Sequence, residues 1–98
     1  MYKEIYKDEA FSCSLEIFEG RAFFHTDVTK PLRPSDVKRG RKAFTEICEL
    51  VKGMGYNDLF ALTPSPHFAS LVGPGFTHID TIVNNDTVME LIAWPMVQ

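Results

Sequence analysis

Apolar residues follow two different rhythms along this chain. From about Ser35 to Met54 they recur at three- and four-residue intervals, at Val37, Phe44, Ile47, Cys48, Val51 and Met54. That period predicts a long amphipathic helix burying Phe44, Ile47, Cys48 and Val51. Ser35 is a candidate N-cap, and Gly53 or Gly55 can end the helix in a left-handed conformation. The other runs are strand-like: Ser12 to Phe18 and Arg21 to Val28 flank Glu19-Gly20, a hairpin turn in which glycine accepts positive φ. Leu59-Phe60-Ala61-Leu62, within an expected strand from about Asn57 to Thr63, has no polar residue to alternate with. It therefore reads as a central strand buried on both faces. Thr63-Pro64-Ser65-Pro66 opens a shorter helix, with Ser65 as cap and Phe68, Leu71 and Val72 turned inward. Phe76 to Val83 and Thr87 to Trp94 read as two last strands around Asn84-Asn85-Asp86. Residues 1–10, anchored by Tyr2, Ile5 and Tyr6, fit either a short helix or an edge strand. The expected order is thus β-β-α-β-α-β-β, a mixed α/β sheet in a single domain.

Composition narrows the function classes. Ninety-eight residues with a formal charge of −3 and 45% apolar content describe one ordinary core, with no general affinity for nucleic acid implied. No apolar run approaches membrane-spanning length, and Met1-Tyr2-Lys3-Glu4 is too polar for a signal peptide, so a cytoplasmic location and no membrane partner are expected. Cys13 and Cys48 lack a CxxC spacing and read as buried, reduced thiols. Nothing resembles a serine elbow or a nucleotide-binding phosphate loop.

The order of elements, together with Phe68-Ala69-Ser70-Leu71-Val72-Gly73-Pro74-Gly75-Phe76, resembles the second half of the GNAT N-acetyltransferase superfamily. There a short helix leads into a glycine-phenylalanine pair, here Gly75-Phe76. The likeness covers about Ser12 to Trp94, and the strand and two helices that usually precede the hairpin are reduced to some ten residues. The resemblance implies a Q/R-x-x-G-x-G/A loop for the pyrophosphate of acetyl-CoA, which falls on Ser35-Asp36-Val37-Lys38-Arg39-Gly40. Only Gly40 fits, and Lys38 stands where bare backbone is needed. The family's general-acid tyrosine falls on Leu71, and its asparagine is missing from Thr63-Pro64-Ser65-Pro66. The expectation is a short, non-catalytic GNAT-like protein with no cofactor, acting through contact with another protein or a second copy of itself. Its brevity is similar to that of phage-encoded accessory or structural proteins, which would place it in the host cytoplasm or the virion. The alternative is a minimal acyl-CoA-dependent N-acetyltransferase, with His25 or Asp27 as base and Val28, Lys30, Arg33, Lys38, Arg39 and Gly40 around acetyl-CoA.

Charge adds one anomaly. Lys30, Arg33, Lys38, Arg39, Arg41 and Lys42 crowd the start of the long helix against Asp36 alone, where cations oppose the macrodipole. This reads either as an anion site or as a solvated helix face. His25-Thr26-Asp27 and His78-Ile79-Asp80 each place an imidazole and a carboxylate on one strand face. The two strands are not expected to meet, so no metal site is expected, and each pair reads as an acid–base pair or as polar strand positions. Trp94 is read as closing the bottom of the core, with Tyr2 and Tyr6 near the other end of the chain as contact aromatics.

Overall fold

The structure, a computed structural model, describes residues 1–64 and 66–96; the Phe68 side chain and the expected cap at Ser65 lie outside the described set. Six strands and two helices follow in the order β1 (Tyr2–Lys7), β2 (Phe11–Phe18), β3 (Arg21–Val28), α1 (Pro34–Gly53), β4 (Asp58–Thr63), α2 (Pro66–Val72), β5 (Thr77–Asn84) and β6 (Thr87–Pro95). The mixed sheet runs β1-β2-β3-β4-β6-β5. Residues 1–10 therefore supply an edge strand, β1, one more than the expected order contained. Every neighbouring pair is antiparallel except β3–β4. A parallel neighbour requires a crossover, and α1 is that crossover.

Both helices share one core with one face of the sheet. Phe44, Ile47 and Val51 of α1 and Ala69 and Val72 of α2 cluster with Leu15, Phe24, Leu59, Ile92 and Trp94. The helices touch closely enough that a Cβ on Gly40 would lie 3.0 Å from Val72 Cγ1. Cys48 is half-buried and Met54 is 47% exposed, at the margin of the predicted stripe.

α1 starts one residue before the expected Ser35. Pro34 takes the first helical position, where its fixed φ suits the helix and its missing N–H costs nothing. Arg33 occupies the cap position, and the capping acceptor is the Asp36 carboxylate, which takes the Arg33 amide at 2.8 Å. At the other end Gly55, at φ +86°, completes a Schellman turn: its amide donates to the Lys52 carbonyl and that of Tyr56 to the Val51 carbonyl.

The opposite face of the sheet carries neither helix. Leu59 and Ala61 are buried beneath the helices, whereas Phe60 is half-buried and Leu62 is 42% exposed. The expectation that β4 is covered on both faces is corrected accordingly: β4 is central, but it has one covered face. Phe60 is sheltered by its neighbours in the sheet, Phe23 at 5.8 Å between ring centroids and the Arg21 guanidinium over its ring. Trp94, the single tryptophan, is 3% exposed, as expected of a residue closing the core; Tyr2 is 62% exposed.

Candidate functional site

The one parallel pairing is short. β3 and β4 are in register only at Ala22–Leu59 and Phe23–Phe60, and beyond these they part. The outer edges of both strands are satisfied by β2 and β6, so the edges that face each other, Phe24 to Val28 and Ala61 to Thr63, border an opening. It forms a cleft of about 460 Å³. Phe24, Ala61, Ala69 and Trp94 line its apolar base, and Asp27, Val28, Leu32, Thr63 and Pro64 line the rest together with Thr26 and Leu62. The base is closely packed: Trp94 donates its indole N–H to the Gly73 carbonyl at 2.5 Å, meets Phe24 and Phe76 edge-on and lies tilted against Phe44. Thr26 Oγ1, on the cleft wall, is buried without a hydrogen bond of normal geometry among the described residues. Its cross-strand neighbour is Cys13, whose sulfur is only a weak partner. Burial raises the Cys13 thiol to about 11, which makes it inert.

The residues expected around a cofactor are distributed over several places. Asp27 and Val28 line the cleft. Lys30, Arg33 and Arg39 line a separate polar hollow of about 340 Å³ with Asp8, Glu9 and Asp36. Its charges cancel in pairs: Lys30 meets Glu9 at 3.0 Å, Arg33 meets Asp36 at 3.5 Å, and Arg39 meets both Asp8, at 3.0 Å, and Asp36. Asp8 holds the hollow together. Its carboxylate accepts from the Tyr6 hydroxyl, the amides of Ala10 and Phe11, and the Arg39 guanidinium, and with these donors its pKa lies well below the usual carboxylate range. Arg41 donates to the Leu71 carbonyl at 2.7 Å, tying α1 to α2. Of the six cations, Lys38 and Lys42 are the two without such a partner among the described residues.

Ser35 to Gly40, on which the family's phosphate-loop pattern falls, belong to the first two turns of α1. Gly40 sits against Val72 and serves helix packing. At the helix N-terminus, where an anion is favoured, the Asp36 carboxylate is already in place and 1% exposed. The Arg33 amide and the Arg33 and Arg39 guanidiniums hold its pKa down against the cost of burial.

His25 and Asp27 share the open face of β3, but His25 Nε2 is engaged by Glu16 Oε1 at 2.8 Å, across the hairpin, and its ring lies 5.8 Å from that of Tyr2. His78 and Asp80 do not share a face. A bulge between them sets His78 opposite Ile92 and Asp80 opposite Leu91; His78 pairs instead with Glu90, which also accepts from Thr81 at 2.8 Å. Two strands lie between β3 and β5, and no group of three or more metal-ligating residues occurs among the described residues. No helix among them is long and apolar enough to cross a membrane. Sequence reasoning missed the cleft itself and the role of Asp8, although Asp8 two and three residues before Ala10 and Phe11 is a recognisable Asx-turn signal. No protein-family model, curated protein or solved structure matches the chain.

Proposed function

We propose that this chain is a small GNAT-like module that works by binding another protein and does not transfer acetyl groups. The strand order, the lone parallel pair and the cleft it opens support the likeness of fold. The observation that carries the non-catalytic reading is the Asp36 carboxylate at the N-terminus of α1. A pyrophosphate brought to that helix end would meet a fixed negative charge whose donors are already used, and Lys38 and Gly40 lie inside the helix rather than in a loop. At the position of the family's general acid, Leu71 has no proton to give. Titration calorimetry with acetyl-CoA, coenzyme A and inorganic phosphate tests this, with Trp94 fluorescence reporting on the cleft base. No saturable heat up to millimolar ligand is the expected result, and micromolar acetyl-CoA binding overturns the proposal.

One observation favours the alternative of a minimal N-acetyltransferase: an apolar-based cleft bordered by two parting strands suits a slender chain, and Asp27 stands on its lining as a candidate base. In that reading Asp27 takes precedence over His25, which Glu16 already holds.

A further inference from the structure

The two edges of the sheet are protected unequally. β1 carries Lys3, Glu4 and Lys7 among six residues and is interrupted by a bulge between Glu4 and Tyr6. Charges and bulges are the usual means of keeping an edge strand from pairing with another chain. β5 has all eight residues exposed, with no lysine, arginine or proline among them. Its bulge is confined to the His78–Asp80 end. From Asp80 to Asn84 it is a regular strand, with Ile82 39% and Val83 67% exposed.

We infer that this stretch of β5 pairs with the same stretch of a second copy of the chain, forming a symmetric dimer with one continuous sheet. The register follows from the hairpin. Asn85 and Asp86 form a two-residue turn, so Asn84 and Thr87 are an exchanging pair, and alternation directs the amides and carbonyls of Thr81 and Val83 to the outer edge. In the single chain the Thr81 amide donates to the Asp80 carboxylate at 2.8 Å, a bond that pairing with a second copy replaces. Two copies meeting about a twofold axis must set these outward residues opposite one another. With Ile82 on the axis, Thr81 of each copy exchanges backbone bonds with Val83 of the other. Ile82 then meets its own counterpart on the open face, beside half-buried Met89 and Leu91. At both ends the Asp80 carboxylate lies opposite the side-chain amide of Asn84, a matched acceptor and donor. Sliding one step either way sets Ile82 against Asn84 or against Asp80. On the open face, polar therefore meets polar and apolar meets apolar in the Ile82-centred register alone. The inference is independent of whether the cleft takes acyl-CoA.

Sedimentation equilibrium of the full chain from micromolar to millimolar concentration is the first test, with a reversible monomer–dimer equilibrium expected. Ile82→Lys places like charges face to face on the axis and weakens the dimer by about tenfold or more. In a Cys48→Ser background, Ile82→Cys joins to its own copy under mild oxidant. Residues opposed in a non-hydrogen-bonded pair have Cα atoms about 4.5 Å apart, within the span of a disulfide. Val83→Cys, facing Thr81 of the second copy, does not. A chain that stays monomeric at millimolar concentration overturns the inference, as does a dimer in which Ile82→Cys fails to link or Val83→Cys links equally fast.

Discussion

Gly73→Ala tests whether the aromatic base of the cleft is as tightly built as it looks. A Cβ at Gly73 would lie 2.6 Å from two atoms of the Phe44 ring, closer than real Cβ contacts come. The ring has little room to yield: Phe24 packs edge-on at 5.4 Å and Trp94 lies at 4.8 Å between centroids. Overpacking of this kind costs roughly 1–3 kcal/mol, against a gain of about 0.4–1 kcal/mol from stiffening the unfolded chain. A net loss of about 1–2 kcal/mol is expected. For a domain of this size that corresponds to a fall in Tm of roughly 5–15 °C. Urea unfolding followed by Trp94 fluorescence measures it directly. Phe44→Leu removes the obstructing ring, so the double variant should lose less than the sum of the single ones, by about 1 kcal/mol. An unchanged or raised stability for Gly73→Ala, or strict additivity in the cycle, would refute the packing argument.

Two further outcomes follow from the charge network. Asp36→Ala leaves the first turn of α1 and the Arg33 guanidinium without their anion, and Arg39 with Asp8 alone, so the variant should gain saturable calorimetric binding of inorganic pyrophosphate that the unaltered chain lacks; no gain would mean that the helix end is closed by something other than Asp36. Asp8, Asp36 and Glu90 all titrate below their ordinary values in the folded chain. Their contribution is present above the unfolded carboxylate pKa of about 4 and is lost as pH falls below it. The urea midpoint should therefore hold near neutrality and decline through the acid range, and Arg39→Ala should flatten that decline; an identical slope would remove Arg39 from the network.

Elements with an unbroken local period were legible in the sequence. The β2–β3 hairpin and α1 announce themselves through alternation, a glycine turn and a three-to-four spacing that needs no partner to be seen. β1 was ambiguous for a physical reason: its bulge between Glu4 and Tyr6 shifts the side-chain parity, so Tyr2, Ile5 and Tyr6 never fall on one period. The same parity shift separates His78 from Asp80. The basic cluster suggested an anion site because its neutralising partners, Asp8 and Glu9, come from the turn between β1 and β2 and lie outside any local count of charge. The cleft had no signature, since the parting of two parallel strands depends on the angle at which α1 lays them together. Leu62 misled for a related reason: an apolar run declares that a strand is central but not how many of its faces are covered.

The short seam between β3 and β4 also divides the molecule by sequence distance. On one side β1, β2 and β3 form a meander closed entirely by near neighbours; on the other, β4, β6 and β5 join from Asp58 onward, within the C-terminal stretch of the chain. Among the described residues, only the two pairs at Ala22–Leu59 and Phe23–Phe60 join these halves of the sheet, across the full length of α1. Local contacts form fast and distant ones late, so each half can assemble at its own pace, and the rate-limiting event becomes their union under the helix. Mechanically the same seam is a hinge line: the sheet bends most readily where its backbone ladder is shortest, and the aperture between the halves is set by how α1 and α2 clamp them.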